Sequence, residues 1–195
     1  MSPLKSSRFL DQYKQREIDF WGITIQNEPF DGEITNFTFN CNGMTAEIQR
    51  DFLYQTLGPV LYAAGYTKDK LKIMIMDDQR GFAKNWADVI LGDKKASAYA
   101  SGLAFHWYLN SMTSVDVLDY IHQKYPEFFL LSSEACEGSS GETEKVSLGS
   151  WQRAENYAND IIQVSGHLIQ MKSTIKFQHR IYNTTRPDGW IGTWP

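Results

Sequence analysis

The chain has 195 residues, with 19 Lys+Arg against 23 Asp+Glu for a formal charge of −4, and is 42% hydrophobic and 14% aromatic. That balance is globular rather than disordered, of a size for one domain or part of a larger one, and without the basic stripe that a nucleic-acid partner requires. No apolar run approaches the roughly 20 residues that span a bilayer.

Residues 4–17 have Phe9, Leu10 and Tyr13 at helical spacing and read as a helix. The run Phe20 to Ile25 is short and mostly apolar, as suits a strand covered on both faces. Pro29 helps stop it, and 30–44 is a loop. Thr45 is the N-cap of a helix over 46–64, with Ile48, Phe52, Leu53, Leu57 and Leu61 as its buried stripe, a kink at Pro59 and an end at Gly65. The cycle then repeats. Leu71–Met76 is a strand, Phe82–Leu91 a helix, Gly102–Trp107 a strand, Ser114–Tyr125 a helix, and Phe128 to Ser133 a fourth strand ending at Glu134. A Gly/Ser/Glu loop leads into a helix from about 149 to 164.

Strands alternating with helices predict an α/β fold with a parallel sheet of right-handed units. At the C-terminal ends of the strands stand Asn27-Glu28, Asp77-Asp78, His106-Trp107-Tyr108 and Glu134. Ionisable and aromatic groups at that edge are where a (β/α)8 barrel carries its chemistry. A doubly wound sheet also binds ligands there, but no Gly-rich phosphate loop follows any strand, which favours the barrel.

Glu28 and Glu134 each stand at a strand tip, and barrel tips converge. Two carboxyls facing one sugar are what a retaining glycosidase needs, one ionised as nucleophile and one protonated as acid. A lone glutamate at a strand end is ordinarily a solvated loop residue; Asn before Glu28, Pro after it and the distant second glutamate are what single these two out. Asp77-Asp78 is either a cation site or, better, a rim pair held by Arg80 and backbone groups. Cys136 is either a reactive thiol or a small buried residue, the latter preferred because neither His122 nor His167 is placed to activate it. Cys41 and Cys136 are too few for a disulfide scaffold and form one bridge or two thiols. Phe37, Phe39 and Trp107 either line an apolar groove or pack on the barrel. Asn36 and Asn183 begin glycosylation tripeptides that matter only in a secreted chain.

The segments FWGITIQNEP, LKIMIMDDQR, GLAFHWYLN and SSEACEG, followed by LGSWQRAENYANDII, resemble successive segments of the glucosylceramidases, glycoside hydrolase family 30, from about Phe9 to Gln163. The resemblance implies a retaining β-glucosidase that cleaves glucosylceramide to glucose and ceramide in a (β/α)8 barrel, without cofactor or metal. It makes Glu28 the acid/base and Glu134 the nucleophile, gives Asn27 a contact to the sugar 2-hydroxyl, and puts His106, Trp107 and Tyr108 beside the nucleophile and sugar. It also implies the lysosome, an activator protein and a lipid surface as surroundings.

Against that family, the chain reads as about four βα units, the fourth to seventh, in a domain over 1–163. No hydrophobic signal core is found in MSPLKSSRFLDQYKQREIDF, which alone would place the chain in the cytosol. After Gln163 the similarity breaks into a tail, 164–195, in which Lys172, Lys176, Arg180 and Arg186 stand against Asp188. A partial barrel of this kind is expected to be inactive alone, and a catalytically silent product that binds a partner is the alternative reading. A polysaccharide substrate is a third.

Overall fold

The computed structural model describes residues 3–38, 40–138, 146–169 and 175–177. Its frame is a parallel sheet of β1 (Gly22–Thr24), β2 (Lys72–Gln79), β3 (Gly102–His106), β4 (Phe129–Glu134) and β5 (Ile175–Phe177), laid side by side in sequence order. Ile23 pairs with Ile73, Ile75 with Leu103, Leu103 with Leu130, and Leu131 with Lys176. Helix α1 (Pro3–Lys14) precedes β1, and α2 (Ala46–Phe52) with α3 (Gly58–Ala63) crosses to β2. Then come α4 (Ala83–Trp86) and α5 (Lys94–Ser97) before β3, α6 (Asp116–Lys124) before β4, and α7 (Trp151–Ile169) before β5.

Strand alternation sorts the apolar residues onto two faces. Ile73, Ile75, Leu103, Phe105 and Leu130 share one core with Leu53, Leu61, Trp86, Ile90, Leu118, Ile121 and Val164 from the helices. Met74, Ala104 and Leu131 lie between them in sequence and form a separate small cluster with Phe129. One face is therefore roofed by helices and the other turns toward a lumen. Sequential strand order with helices on one side is singly wound, which is the barrel pattern; a doubly wound sheet reverses order at a switch point. The fold is an α/β arc of a (β/α)8 barrel, as the strand–helix alternation predicts. At Gly102 β3 runs tight against β4: a Cβ there would stand 2.5 Å from the Phe129 carbonyl oxygen.

The elements fall close to their predicted places, with instructive differences. The Thr45 side chain accepts the Ile48 N–H, as an N-cap should, and Gly65 closes the helix at φ +86°. Pro59 is accommodated by a π turn over Leu53–Leu57, in which Gly58 N–H reaches back to Leu53. The extra residue places Pro59 in a fresh first turn, where its missing N–H removes no bond. Ile48 is 51% exposed and does not belong to the buried stripe; Gln49 beside it is the wholly buried residue. Among the described apolar side chains of α1 only Leu10 is buried, with Ser6 and Ser7 as buried polar residues, while the Phe9, Tyr13 and Phe20 rings pack on one another. Helix α5, capped by Asp93 onto Lys95 and Ala96, is too short to show periodicity. α7 runs through Ile169, and β5 stands within 164–195, a stretch whose sequence shows no sustained period.

Asp88 ties the outer helices together. Its carboxylate accepts from Lys84 Nζ at 2.8 Å, Tyr120 OH and Lys124 Nζ at 2.9 Å, and Tyr125 OH at 3.0 Å. Partial burial pushes this carboxyl up, but the four donors outweigh it and hold it well below the usual range. A carboxyl whose folded pKa is depressed stabilises above its unfolded value and loses that contribution as pH falls through the folded one. Asp88→Asn is expected to cost about 2 kcal/mol at neutral pH and to flatten the acid side of the stability curve, read from urea midpoints between pH 7 and pH 3.

Candidate active site

β1 delivers Glu28, which stands just past its tip with φ +43°. A non-glycine residue in that region is strained by roughly 1–3 kcal/mol, so something must hold it. The hold comes from Glu28 N–H, which donates to the Asp77 carbonyl at 2.8 Å and docks the loop on β2.

β2 contains the device that aims the acids. Its register against β3 shifts between Met76 and Asp78, a bulge, and Met76 and Asp77 take φ +68° and +64°. Regular alternation would put Ile75 and Met76 on opposite faces, yet both lie in the helix-side core. The extra residue flips the sequel, so the next side chain, Asp77, enters the lumen. The Met76 N–H that the bulge pulls from the ladder is taken by Gln49 Oε1 at 2.9 Å, from α2. A second irregularity in β4 sets Phe105 against Ser132 and His106 against Glu134, leaving Ser133 as the extra residue.

His106, wholly buried at the tip of β3, is where these elements meet. Its Nδ1 lies 3.2 Å from Glu28 Oε1, its Nε2 3.1 Å from Asp77 Oδ1 and 3.9 Å from Glu134 Oε2. Burial alone would strip the imidazole of its second proton, but the bonds to Asp77 and Glu28 outweigh it and push His106 up to about 10. Asp77, although buried, is held below the usual carboxylate range by His106 and Ser133, whose hydroxyl donates to it at 2.7 Å. At neutral pH the centre is therefore an imidazolium bracketed by acids.

Around it, Gln79 Nε2 donates to Glu28 Oε1 at 3.2 Å, and Tyr108 OH donates to Glu134 Oε1 at 2.7 Å. Burial and the Glu134 charge push the Tyr108 hydroxyl far up, so it remains a donor. Glu28 keeps only 12% of its side chain exposed, whereas Glu134 keeps 41%. One atom each from Glu28, His106 and Glu134 fall within 4.8 Å of one another. Such a spacing suits a metal ion, although both ring nitrogens of His106 already face a carboxylate oxygen, Glu28 at Nδ1 and Asp77 at Nε2.

The remaining candidates separate. Asn27 is exposed at the rim beside Glu28. Trp107 stacks flat on Tyr157 of α7, with centroids 4.9 Å apart and planes 11° apart. Phe37 is half-buried; Phe39 and Asn183 lie outside the described residues. Arg80 does not hold the Asp77-Asp78 pair. Its guanidinium donates to the Asn110 and Thr113 carbonyls at 3.1 and 2.6 Å and faces the charge of Asp160. Asp78 is instead held by backbone, accepting from Phe30 N at 2.9 Å and Gln79 N at 2.7 Å. Cys41 and Cys136 are unbridged and half-buried, and Cys136 bears on the Tyr108 hydroxyl. Sequence reasoning missed Gln79, Ser133 and Asp31, all within one or a few residues of a named acid.

An arc of parallel βα units with two glutamates converging at its strand tips is the arrangement of a barrel glycoside hydrolase. Residues 5–173 match the glycosyl hydrolase family 30 TIM-barrel domain, and the chain belongs to that family. It is 41% identical over 162 residues to a Caenorhabditis elegans relative, covering 83% of this chain and 31% of the relative. Against the lysosomal acid glucosylceramidase of Mus musculus it is 39% identical over 156 residues, 80% of this chain and 30% of the other. The chain thus spans about three-tenths of the length of these curated relatives. Among solved structures, SrfJ from Salmonella typhimurium superposes with TM-score 0.68 at 26% identity, over 87% of this chain and 35% of that one. The endo-β1,6-glucanase BT3312 gives TM-score 0.65 at 27% identity, over 90% and 37%.

The charge state of His106 is directly measurable. Histidine ¹⁵N NMR is expected to show both ring nitrogens of His106 protonated through neutral pH, with deprotonation near pH 10. A histidine raised on folding stabilises fully below its ordinary value of about 6.5 and loses that contribution as pH climbs through the folded one, so stability should decline across that alkaline window. Asp77→Asn should bring the His106 titration down by at least about one unit.

Proposed function

We propose that these residues carry the carboxylate pair of a retaining β-glucosidase acting on glucosylceramide. The observation that supports it is the approach of Glu28 and Glu134 across His106, with one oxygen of each within 4.8 Å. Carboxyls about 5–5.5 Å apart suit nucleophilic attack and a covalent intermediate, whereas an inverting pair stands about 6.5–9.5 Å apart to admit a water. Glu134, the more open of the two, attacks the anomeric carbon, and Glu28 gives its proton to the leaving oxygen. Glu28 then takes a proton from the water that releases glucose from Glu134. Tyr108, through its hydrogen bond, and His106 aim the Glu134 carboxyl. Asn27 binds the sugar 2-hydroxyl, and Trp107, backed by Tyr157, offers a flat face beside it.

The ceramide substrate rests on the identity to the mouse glucosylceramidase. From the same likeness we take the setting to be the lysosome, with an activator protein and a lipid surface as partners. In our reading residues 1–163 are the barrel segment and 164–195 a tail of divergent sequence, from which the end of α7 and β5 nonetheless pack into the same fold. Among the described residues no helix is long and apolar enough to cross a membrane. The likeness to a glucanase raises a polysaccharide as the other substrate. Relative rates on glucosylceramide and on a β-glucan separate the two, with glucosylceramide expected to be faster.

The mechanism is tested in the complete protein. Glu134→Gln is expected to lower kcat by roughly a thousandfold or more on any β-glucoside. Glu28→Gln should do the same for alkyl glucosides while sparing dinitrophenyl glucoside, whose leaving group needs no proton. ¹H NMR of the first product should show β-glucose; α-glucose would overturn the retaining assignment.

A further inference from the structure

We propose that Gln49, on the helix side of the sheet, is a positioning residue that sets the geometry of the acids through the β2 bulge; the proposal rests on the reading of Glu28 and Glu134 as the reacting pair. Gln49 lies on α2 between Ala46 and Leu53, on the stripe that the helix turns to the core, and is wholly buried. The residues beside it face outward: Ile48 is exposed, and Arg50 pairs with Asp51 at the surface. An apolar side chain would suit the stripe better, because a buried amide must give up its water. What the amide gains is one bond. Gln49 Oε1 accepts the Met76 N–H at 2.9 Å. Its Nε2 is buried as well and makes no hydrogen bond among the described residues. The acceptor oxygen is therefore what this side chain contributes. A core glutamine that satisfies one backbone group and leaves its own donor unpaired adds little to stability, which directs attention to the geometry it fixes.

The bond falls where the strand is strained. Met76 and Asp77 hold φ +68° and +64°, left-handed values that non-glycine residues avoid, and the register against β3 shifts at the same point. Straightened, β2 would resume its alternation, return Met76 to the lumen and turn Asp77 toward the helices. Three contacts would go with it. Asp77 Oδ1 faces His106 Nε2 at 3.1 Å and accepts the Ser133 hydroxyl at 2.7 Å, and the Asp77 carbonyl accepts the Glu28 N–H at 2.8 Å. His106 Nδ1 in turn lies 3.2 Å from Glu28 Oε1. Gln49 thus reaches Glu28 by two routes, one through the Asp77 backbone and one through the Asp77 carboxylate and His106. Both start at the N–H that Gln49 fixes.

The test is made in the complete protein. Gln49→Met keeps the size of the side chain and removes the acceptor, whereas Gln49→Glu keeps an acceptor oxygen in either protonation state. Gln49→Met is expected to lower kcat for a β-glucoside by roughly a hundredfold while KM stays within about threefold. Gln49→Glu should bring kcat back to within about tenfold of the parent. In ¹⁵N NMR the His106 midpoint, near 10 in the parent with Glu28, Asp77 and Glu134 around the ring, should fall by about one unit in Gln49→Met and return in Gln49→Glu. A glutamine that only stabilises would lower the urea midpoint and leave kcat and the His106 midpoint of the folded protein where they were. That result overturns the proposal, as does a loss of kcat that Gln49→Glu fails to restore. The parent protein supplies a check that needs no folded variant: the Met76 amide should exchange with solvent as slowly as the ladder amides of β2. Exchange at the rate of an open loop amide overturns the proposal. Failure of the glutamate-pair reading looks different: Glu134→Gln would keep its turnover, while the His106 midpoint would still follow Gln49.

Discussion

The rim of this sheet depends on one buried positive charge. Carboxylates from the tips of β1, β2 and β4 converge on a small volume, where like charges at low dielectric would drive each other apart or force protonation. His106 makes the convergence tolerable because it meets all three: Glu28 at Nδ1, and Asp77 and Glu134 at Nε2. Such a centre is costly to desolvate, and its worth lies in orientation more than in stability. Removing any one member would leave the rest with an unbalanced charge, so these residues act as a unit.

That unit is supported from the helix side of the sheet. The bulge at Met76 and Asp77 swings an aspartate into the lumen, and it persists because Gln49 on α2 satisfies the N–H it exposes. Asp77 in turn fixes His106 from below and, through its own carbonyl, the backbone of Glu28. A buried glutamine on an outer helix is therefore connected, through one strand irregularity, to the acid on the opposite face. If these acids act as proposed, such a surround is what they need, because displacement by about 1 Å can cost roughly a hundredfold in rate.

Much of the arrangement was legible beforehand because its signals are local. Apolar runs flanked by helical periodicity placed the strands, and ionisable groups at their C-terminal ends placed the rim. What escaped was what depends on irregularity. Met76 and Asp77 look like ordinary successive residues of a strand end, so nothing in their types announces a left-handed pair or the resulting change of face. Ile48 sits at a helical position that periodicity marks as buried, yet the turn it lies on is open to solvent and the polar Gln49 takes the inner place. Arg80 follows two aspartates in sequence, and proximity suggested pairing. Folding instead sends its side chain to the loop after β3 and to Asp160 on α7, and backbone N–H groups take Asp78.

The Trp107–Tyr157 stack joins the rim to the outer shell. Tyr157 is anchored in its turn, its hydroxyl accepting the Glu137 N–H at 2.8 Å, while Asn156 beside it binds the Glu137 side chain. The orientation of the indole is thus tied to α7 through Tyr157, whereas the His106 contacts to Glu28, Asp77 and Glu134 come from the strand tips. Substitutions on α7 that shift Tyr157 would therefore reorient a rim aromatic that stands next in sequence to His106.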